Sequence, residues 1–252
     1  MLRFQDLVDG FKKLNLKRGD VLLVHSSFKS FGGVEGGPQT VIDALLSILG
    51  EEGTLIVPTF NFDFCEGKAF DMMNTPSKQG IITEFVRKNP KSRRILHPIH
   101  SFSILGKLAD QLGSLRYKSS FGKDSLFAKL RELDSKIMIV GLIYSRSLTF
   151  IHHVEEMVGC DYRYLKKFTG TIIDEFGKIY ADDFLMNVRD LDRGVITNCE
   201  PMGEILDREG IAKIAKIGSS TIRLMKANDV YKCVLREMKR NPHILCEIHP
   251  PE

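Results

Sequence analysis

The sequence predicts an α/β protein: a three-layer-like mixed sheet with flanking helices, followed by a C-terminal mixed β segment. Three observations carry this expectation. Within the first 60 residues an apolar run, an amphipathic segment and a second apolar run follow one another, the pattern of a β-α-β unit. Short apolar runs and helical patterns then alternate to about residue 160. Beyond that point the alternation gives way to period-2 stretches around turn residues. No linker, low-complexity tract or internal repeat interrupts the chain, so residues 1–252 read as one domain, with an α/β core over 1–160 and a mixed continuation over 161–252.

Each element has its own signal. Phe4, Leu7, Val8, Phe11 and Leu14 recur at helical spacing, which predicts a helix over 3–15. "DVLLVH" (20–25) is a short buried strand. Val41, Ile42, Leu45, Leu46 and Leu49 form the apolar face of a helix that Gly50 can close. "GTLIVPTF" (53–60) is the next strand, parallel to the first because a helix joins them. Residues 61–80 read as loop, 80–89 as helix, 101–107 as strand, 125–133 as helix, 136–142 as a central strand and 148–159 as helix. A hairpin is expected over 168–188, turned at Glu175-Phe176-Gly177. Two more strands share 212–227, joined near Gly218, and a basic helix, "NDVYKCVLREMKRN", closes the fold.

Bulk properties exclude several classes. Apolar residues are 43% and charged residues 27% of the chain, an ordinary globular composition. A net charge of +4 fits an anionic ligand but is too small to argue for nucleic acid. The five cysteines are scattered and form no C-x-x-C, against a disulfide framework or zinc knuckle and in favour of a reducing cytoplasm. "MLRFQDLVDGFKKL" carries charges where a signal peptide needs an apolar core, and no apolar run has the length of a membrane span.

Four stretches could carry chemistry. "VHSSFKSFGGVEGG" runs from a buried strand through small residues to a helix start, where exposed N–H groups suit an anionic or amide-rich ligand. It lacks the G-K-[ST] of a Walker loop and the spacing of G-x-G-x-x-G, so a loop that only turns the chain explains it equally well. His97 and His100 flank Pro98 and could ligate a metal, but an ordinary histidine pair at the start of a strand is the commoner case. In "TFIHHVEE", His152 and Glu155 share a helix face, and so do His153 and Glu156 about 100° round it. A carboxylate beside an imidazole orients it as a general base, whereas a surface His–Glu pair is the plainer explanation. "GCDYRYLKKF" and "VRKNPKSRR" are basic: either solvated helix ends or a phosphate clamp.

Taken in order, "VHSSFKSFGGVEGG", "GTLIVPTF", "TPSKQG", "HPIHSF", "FGKDSLFAKL" and "TFIHHVEE" resemble the aminoglycoside 3-N-acetyltransferase family, in register from about Gln5 to Gly159 and more loosely beyond. The resemblance implies transfer of an acetyl group from acetyl-CoA, as co-substrate, to an amine on a sugar-like ring. It implies that Ser26, Ser27, Gly32, Gly33, Gly36 and Gly37, with His100 and Ser101, lie along coenzyme A. The family's L-H-x-A-E motif falls on Ile151 to Glu155, which selects His152 as general base over His153, with Glu155 beside it. Thr59, Arg163 and Lys166 are the expected substrate contacts. No metal is required.

Two departures stand out. Antibiotic-modifying members carry D-R-N-T before the histidine; here "YSRSLT" has Ser145 in place of the Asp, with one residue inserted. The acidic residue near the acceptor could be Asp190, Asp192 or Glu200. Arg163, Lys166 and Lys167 follow the proposed catalytic helix, where a polycationic aminoglycoside would prefer acids. A nucleotide-linked amino sugar of polysaccharide biosynthesis is therefore the preferred acceptor, and antibiotic inactivation the alternative. The rivals are a metal-dependent hydrolase on His97, His100, His152 and Glu155, a non-catalytic coenzyme A- or carbohydrate-binding protein, and last a nucleic-acid module. Expected partners are the small-molecule acceptor and coenzyme A, with no nucleic acid and no membrane; a homodimer stays open.

Overall fold

A computed structural model describes residues 1–249. In chain order the elements are α1 (Phe4–Lys13), β1 (Val21–Ser26), α2 (Pro38–Leu49), β2 (Thr54–Pro58), β3 (Phe70–Asp71), α3 (Ile81–Arg87), β4 (Arg93–Arg94), β5 (Phe102–Gly106), α4 (Ala109–Gly113), α5 (Leu126–Glu132), β6 (Lys136–Val140), α6 (Ile151–Val158), β7 (Arg163–Ile173), β8 (Ile179–Arg189), β9 (Val195–Thr197), α7 (Glu200–Arg208), β10 (Lys213–Ile217), β11 (Ser220–Lys226), α8 (Ala227–Arg240) and β12 (Cys246–Ile248).

Seven strands form the main sheet in the order β10-β11-β6-β1-β2-β5-β4. β1 lies parallel to both β2 and β6, as the crossover helix between β1 and β2 requires, while β5 and β11 run antiparallel to their neighbours. Both faces of the sheet are covered, so its central strands are continuously apolar rather than alternating. Leu22, Val24, Leu55, Val57, Met138 and Val140 point to the layer of α1, α2 and α3. The residues between them, Leu23, Ile56, Ile137 and Ile139, point to the layer of α5, α6, α7 and α8. The period of two divides one apolar run between two cores. Burying a single such side chain stabilises by about 1.5–3 kcal/mol, so these central strands anchor the fold.

α2 shows how local sequence starts and stops an element. Pro38, with its preset φ, occupies the first turn, where no N–H is needed. Val41, Ile42, Leu45, Ile48 and Leu49 face the core, and Gly50, at φ 65°, ends the helix.

The two strands expected over 212–227 are present as the hairpin β10–β11, and β11 pairs with β6 to extend the main sheet. The hairpin β7–β8 is longer than expected and begins at Arg163, so "RYLKK" is strand and not a helix end. With β3 it forms a second sheet over a small core of Phe64, Phe70, Ile99, Ile172 and Phe184. The region expected to be loop contains β3, and α7 and the β9–β12 ribbon had no clear periodic signal. Among the described residues no helix is long and apolar enough to cross a membrane.

Candidate active site

The parallel strands β1, β2 and β6 end on one side of the sheet, the place where open α/β folds gather ligand-binding residues. There β1 delivers His25 and Ser26, β2 leads into Thr59 and Phe60, and β6 leads into the 143–146 turn. The antiparallel β5 starts at the same level and brings His100. A cleft of about 890 Å³ opens here, lined among others by His100, His152, Ser145, Arg146, Arg163 and Arg189.

α6 carries the central pair. Its apolar residues Ile151 and Val154 are buried against the core, which leaves His152 on the cleft side and Glu155 one turn further on, fully buried. His152 Nδ1 is 2.6 Å from Glu155 Oε2. Tyr162 donates its hydroxyl to Glu155 Oε1 at 2.8 Å. Arg163 Nε is 2.8 Å from Glu155 Oε2; this is an ion pair by distance, although its N–H does not point along the contact. The remaining Arg163 donors go to Asn187 O and Thr197 Oγ1.

These contacts settle the protonation pattern. Burial alone would raise the Glu155 pKa, but His152, Arg163 and Tyr162 outweigh it and hold the carboxyl below its ordinary range. An ionised carboxylate only accepts hydrogen bonds, so Nδ1 of His152 is the donor and Nε2 keeps its lone pair on the cleft side. Burial, then Arg163 and more weakly Arg189, lower the His152 pKa, against the pull of Glu155. The lowered pKa favours the neutral imidazole at neutral pH, with Nε2 free to accept a proton.

The second His–Glu pair does something else. His153 is buried and hydrogen-bonds Phe121 O through Nδ1 at 2.7 Å. Glu156 accepts from Ser119 Oγ at 2.8 Å. Both hold the 119–121 segment, whose Phe121 ring packs against His152 and His100. Ser120 Oγ lies 3.0 Å from His100 Nδ1.

Other expected residues are distributed unevenly. Arg163 and His100 reach the cleft. Thr59 and Ser101 are buried behind its wall: Ser101 Oγ donates to Thr59 O at 2.8 Å and accepts from Arg94. Lys166 is exposed on the hairpin, stacked over Phe168. Ser26 and Ser27 stand at the end of β1, where a Cβ on Gly80 would come 3.6 Å from Ser26 O. A second cleft opens beside them, lined by Ser77, Lys78, Gly80 and Lys88. Gly32, Gly33, Gly36 and Gly37 all have positive φ, and much of their backbone is already engaged. Gly32 N–H bonds Lys29 O, Gly37 N–H bonds Val34 O, and Gly33 O accepts from Leu2. Ser219 and Met1 crowd Gly32 and Gly33, so this loop packs on its own chain.

Sequence reasoning left one residue among three candidates and missed another. Glu200, one of three acidic candidates, accepts from the N–H groups of Ser145 at 2.7 Å and Tyr144 at 3.3 Å. It holds the turn that carries Ser145 and Arg146. Arg189 lines the cleft directly opposite Arg163 in the β7–β8 register, a pairing that only the hairpin reveals. The hydrolase rival finds no ligand cluster: among the described residues, no group of three or more His, Cys, Asp or Glu side chains is placed to hold a metal.

Known proteins share both the sequence pattern and the fold. The family model described as aminoglycoside 3-N-acetyltransferase matches residues 23–239. The chain is 28% identical to aminoglycoside N(3)-acetyltransferase IV of a Salmonella species, over 99% of this chain and 92% of that protein. It is 26% identical to the SPbeta prophage-derived aminoglycoside N(3')-acetyltransferase-like protein YokD of Bacillus subtilis, over 89% and 88%. Among solved structures, apo aminoglycoside acetyltransferase AAC(3)-IVa superimposes with a TM-score of 0.80 at 27% identity, covering 99% of this chain and 92% of that one. A histidine-to-alanine variant of that enzyme in complex with a gentamicin gives 0.81 at 27% identity, with coverage of 99% and 92%.

Proposed function

The chain belongs to the aminoglycoside 3-N-acetyltransferase family, and from that premise we propose that it transfers the acetyl group of acetyl-CoA to an amine of an amino-sugar acceptor. The observation that carries the proposal is the neutral His152 held by Glu155 with Nε2 turned to the cleft.

The coenzyme fits features of this chain. His25 Nε2 is buried at the end of β1 without a hydrogen-bond partner, and the neighbouring cleft carries Lys78 and Lys88, which pair with Asp63 and Glu84. Ser26, Ser27 and His25 would hold the pantetheine side, and the lysines would face phosphate. When bound, acetyl-CoA supplies an activated acetyl thioester. The protein's own contribution is orientation and proton handling. As the amine nitrogen bonds the acetyl carbon and the thioester C–S bond breaks, His152 Nε2 would accept the proton the amine loses and pass it to the departing coenzyme A thiolate. Nδ1–H stays hydrogen-bonded to Glu155, whose buried carboxylate stabilises the transient imidazolium. A positioned base of this kind contributes about 10²–10⁴-fold in rate.

The relatives are named for aminoglycosides, so an aminoglycoside amine is the acceptor that the comparisons favour, ahead of the nucleotide-linked amino sugar preferred from sequence charge. One observation supports the second acceptor: the cleft around His152 is lined by three arginines and no carboxylate. The test is thiol release from acetyl-CoA with gentamicin, other aminoglycosides and UDP-linked amino sugars, using wild type and His152→Ala. Transfer that is lost in the variant supports the reading. Transfer unaffected by His152→Ala would refute the assigned base, and turnover of aminoglycosides alone would remove the second acceptor.

A further inference from the structure

The β7–β8 hairpin sets Arg163 directly opposite Arg189. Like charges in that relation destabilise a sheet unless something compensates them. Glu155 compensates one, since Arg163 pairs with it and its side chain is only 5% exposed. Arg189 has no carboxylate partner among the described residues, and neither does Arg146, which reaches the same cleft from the turn after β6. The aromatic and aliphatic residues around them, Phe62, Ile143, Leu191 and Ile196, are partly exposed and leave the guanidinium groups the dominant polar feature beside His152. The fold thus keeps Arg189 and Arg146 at the mouth of its active site without a carboxylate partner among the described residues, while Glu155 compensates Arg163.

We propose that Arg189 and Arg146 form an anion site on the acceptor side of the cleft, which takes a phosphate or pyrophosphate group borne by the amine substrate. The inference rests on the N-acetyltransferase reading and narrows its acceptor to an amine that also carries such an anion. Guanidinium groups suit this task because their planar donors match phosphate oxygens two at a time. The location separates this site from the one proposed for the coenzyme's phosphates: the cleft of Ser77, Lys78, Gly80 and Lys88 shares no lining residue with the arginine side. A polycationic acceptor would meet two arginines without a carboxylate partner, and no acid in the cleft lining.

The test is calorimetric titration of UDP, and separately of inorganic pyrophosphate, into protein saturated with coenzyme A. Wild type should bind at least one of them, with an affinity that falls as salt rises. Arg146→Gln with Arg189→Gln should weaken binding tenfold or more, while Arg189→Lys, which keeps the charge but loses the paired donors, should weaken it less than the double variant; a cooperative urea transition in each variant shows that the fold survives. Binding that coenzyme A abolishes would assign the arginines to the cofactor and overturn the proposal. So would unchanged binding in the double variant, or no binding of either probe. Because the readout is binding, it stands apart from loss of transfer in His152→Ala, which tests the base alone. A second arm uses charge reversal: Arg146→Glu with Arg189→Glu should lower the KM for gentamicin tenfold or more, and wild-type kcat/KM higher for gentamicin than for UDP-linked amino sugars would also overturn the site.

Discussion

His152 Nδ1 meets Glu155 Oε2 at 2.6 Å across one turn of α6, and the same carboxylate gathers Tyr162 and Arg163. One fully buried charge therefore orients the base and anchors the first residue of the hairpin. Glu155→Gln keeps the shape and removes the charge, which leaves Arg163 buried and unpaired. Breaking a buried pair in this way costs about 3–5 kcal/mol. Urea unfolding should show a loss of that size, together with a fall in kcat; an unchanged midpoint would mean that the pair is not formed in solution.

Tyr162→Phe isolates a smaller part of the network. It removes one hydrogen bond to a charged group, worth about 1.5–3 kcal/mol, and leaves the His152–Glu155 contact in place. Stability should fall by that amount while kcat changes only a few-fold. A loss of kcat as large as that of His152→Ala would place Tyr162 in the chemistry instead.

The environment of His152 sets its protonation. Burial and the two arginines lower its pKa below the ordinary 6.5, so the base stays neutral as pH falls past the point where a free imidazole charges. Arg189→Gln removes one of the lowering charges, so the His152 resonance in an NMR pH titration should move to a higher midpoint. The acid limb of kcat/KM should move the same way. A midpoint that stays in place would mean that Arg189 does not act on the imidazole.

Buried histidines also tie stability to pH. Burial lowers His25 to about 4 and His97 to about 3. Their folded pKa values lie below the unfolded value of 6.5, so the unfolded chain takes up these protons first. Stability is complete above about pH 6.5 and is lost as pH falls toward 4, with His97 continuing the loss toward 3. At 1.36 kcal/mol per pKa unit, His25 alone contributes about 3 kcal/mol of this loss. Urea unfolding at about pH 7 and about pH 4.5 should show the decline, partly removed in His25→Asn. Equal stability at both values would contradict neutral buried imidazoles.

Much of the α/β core was legible because its signals are local. β1, α2, β2, β6 and α6 each carry their own period, and His152 and Glu155 are three residues apart on one helix. What was hidden depends on contacts distant in sequence. β11 joins β6 across a long stretch of intervening chain, so the two strands over 212–227 gave no sign of which sheet they extend. Thr59 and Ser101 have residue types that suit a cleft, yet Arg94 and their mutual hydrogen bond draw them behind it. Arg189 gives no signal until the hairpin register sets it against Arg163. Glu200 was one acid among three until α7 packed on the 143–146 turn.

That packing yields the last prediction. Gly203 sits inside α7, where glycine is a poor helix former by about 1 kcal/mol relative to alanine, so propensity alone says that Gly203→Ala should stabilise the helix. The structure predicts the reverse. A Cβ at this position would fall 1.9 Å from the Tyr144 ring, which is itself buried and holds Asp207 through its hydroxyl. The ring has little room to yield, so α7 must move away and draw Glu200 from the N–H groups of Tyr144 and Ser145. Overpacking of this kind costs about 1–3 kcal/mol. Because Arg146 hangs on the same turn, UDP binding should weaken along with stability, whereas Glu204→Ala, on the same helix, should leave both near wild type. A stabilised Gly203→Ala variant with unchanged UDP affinity would show that α7 does not pack on the turn as described.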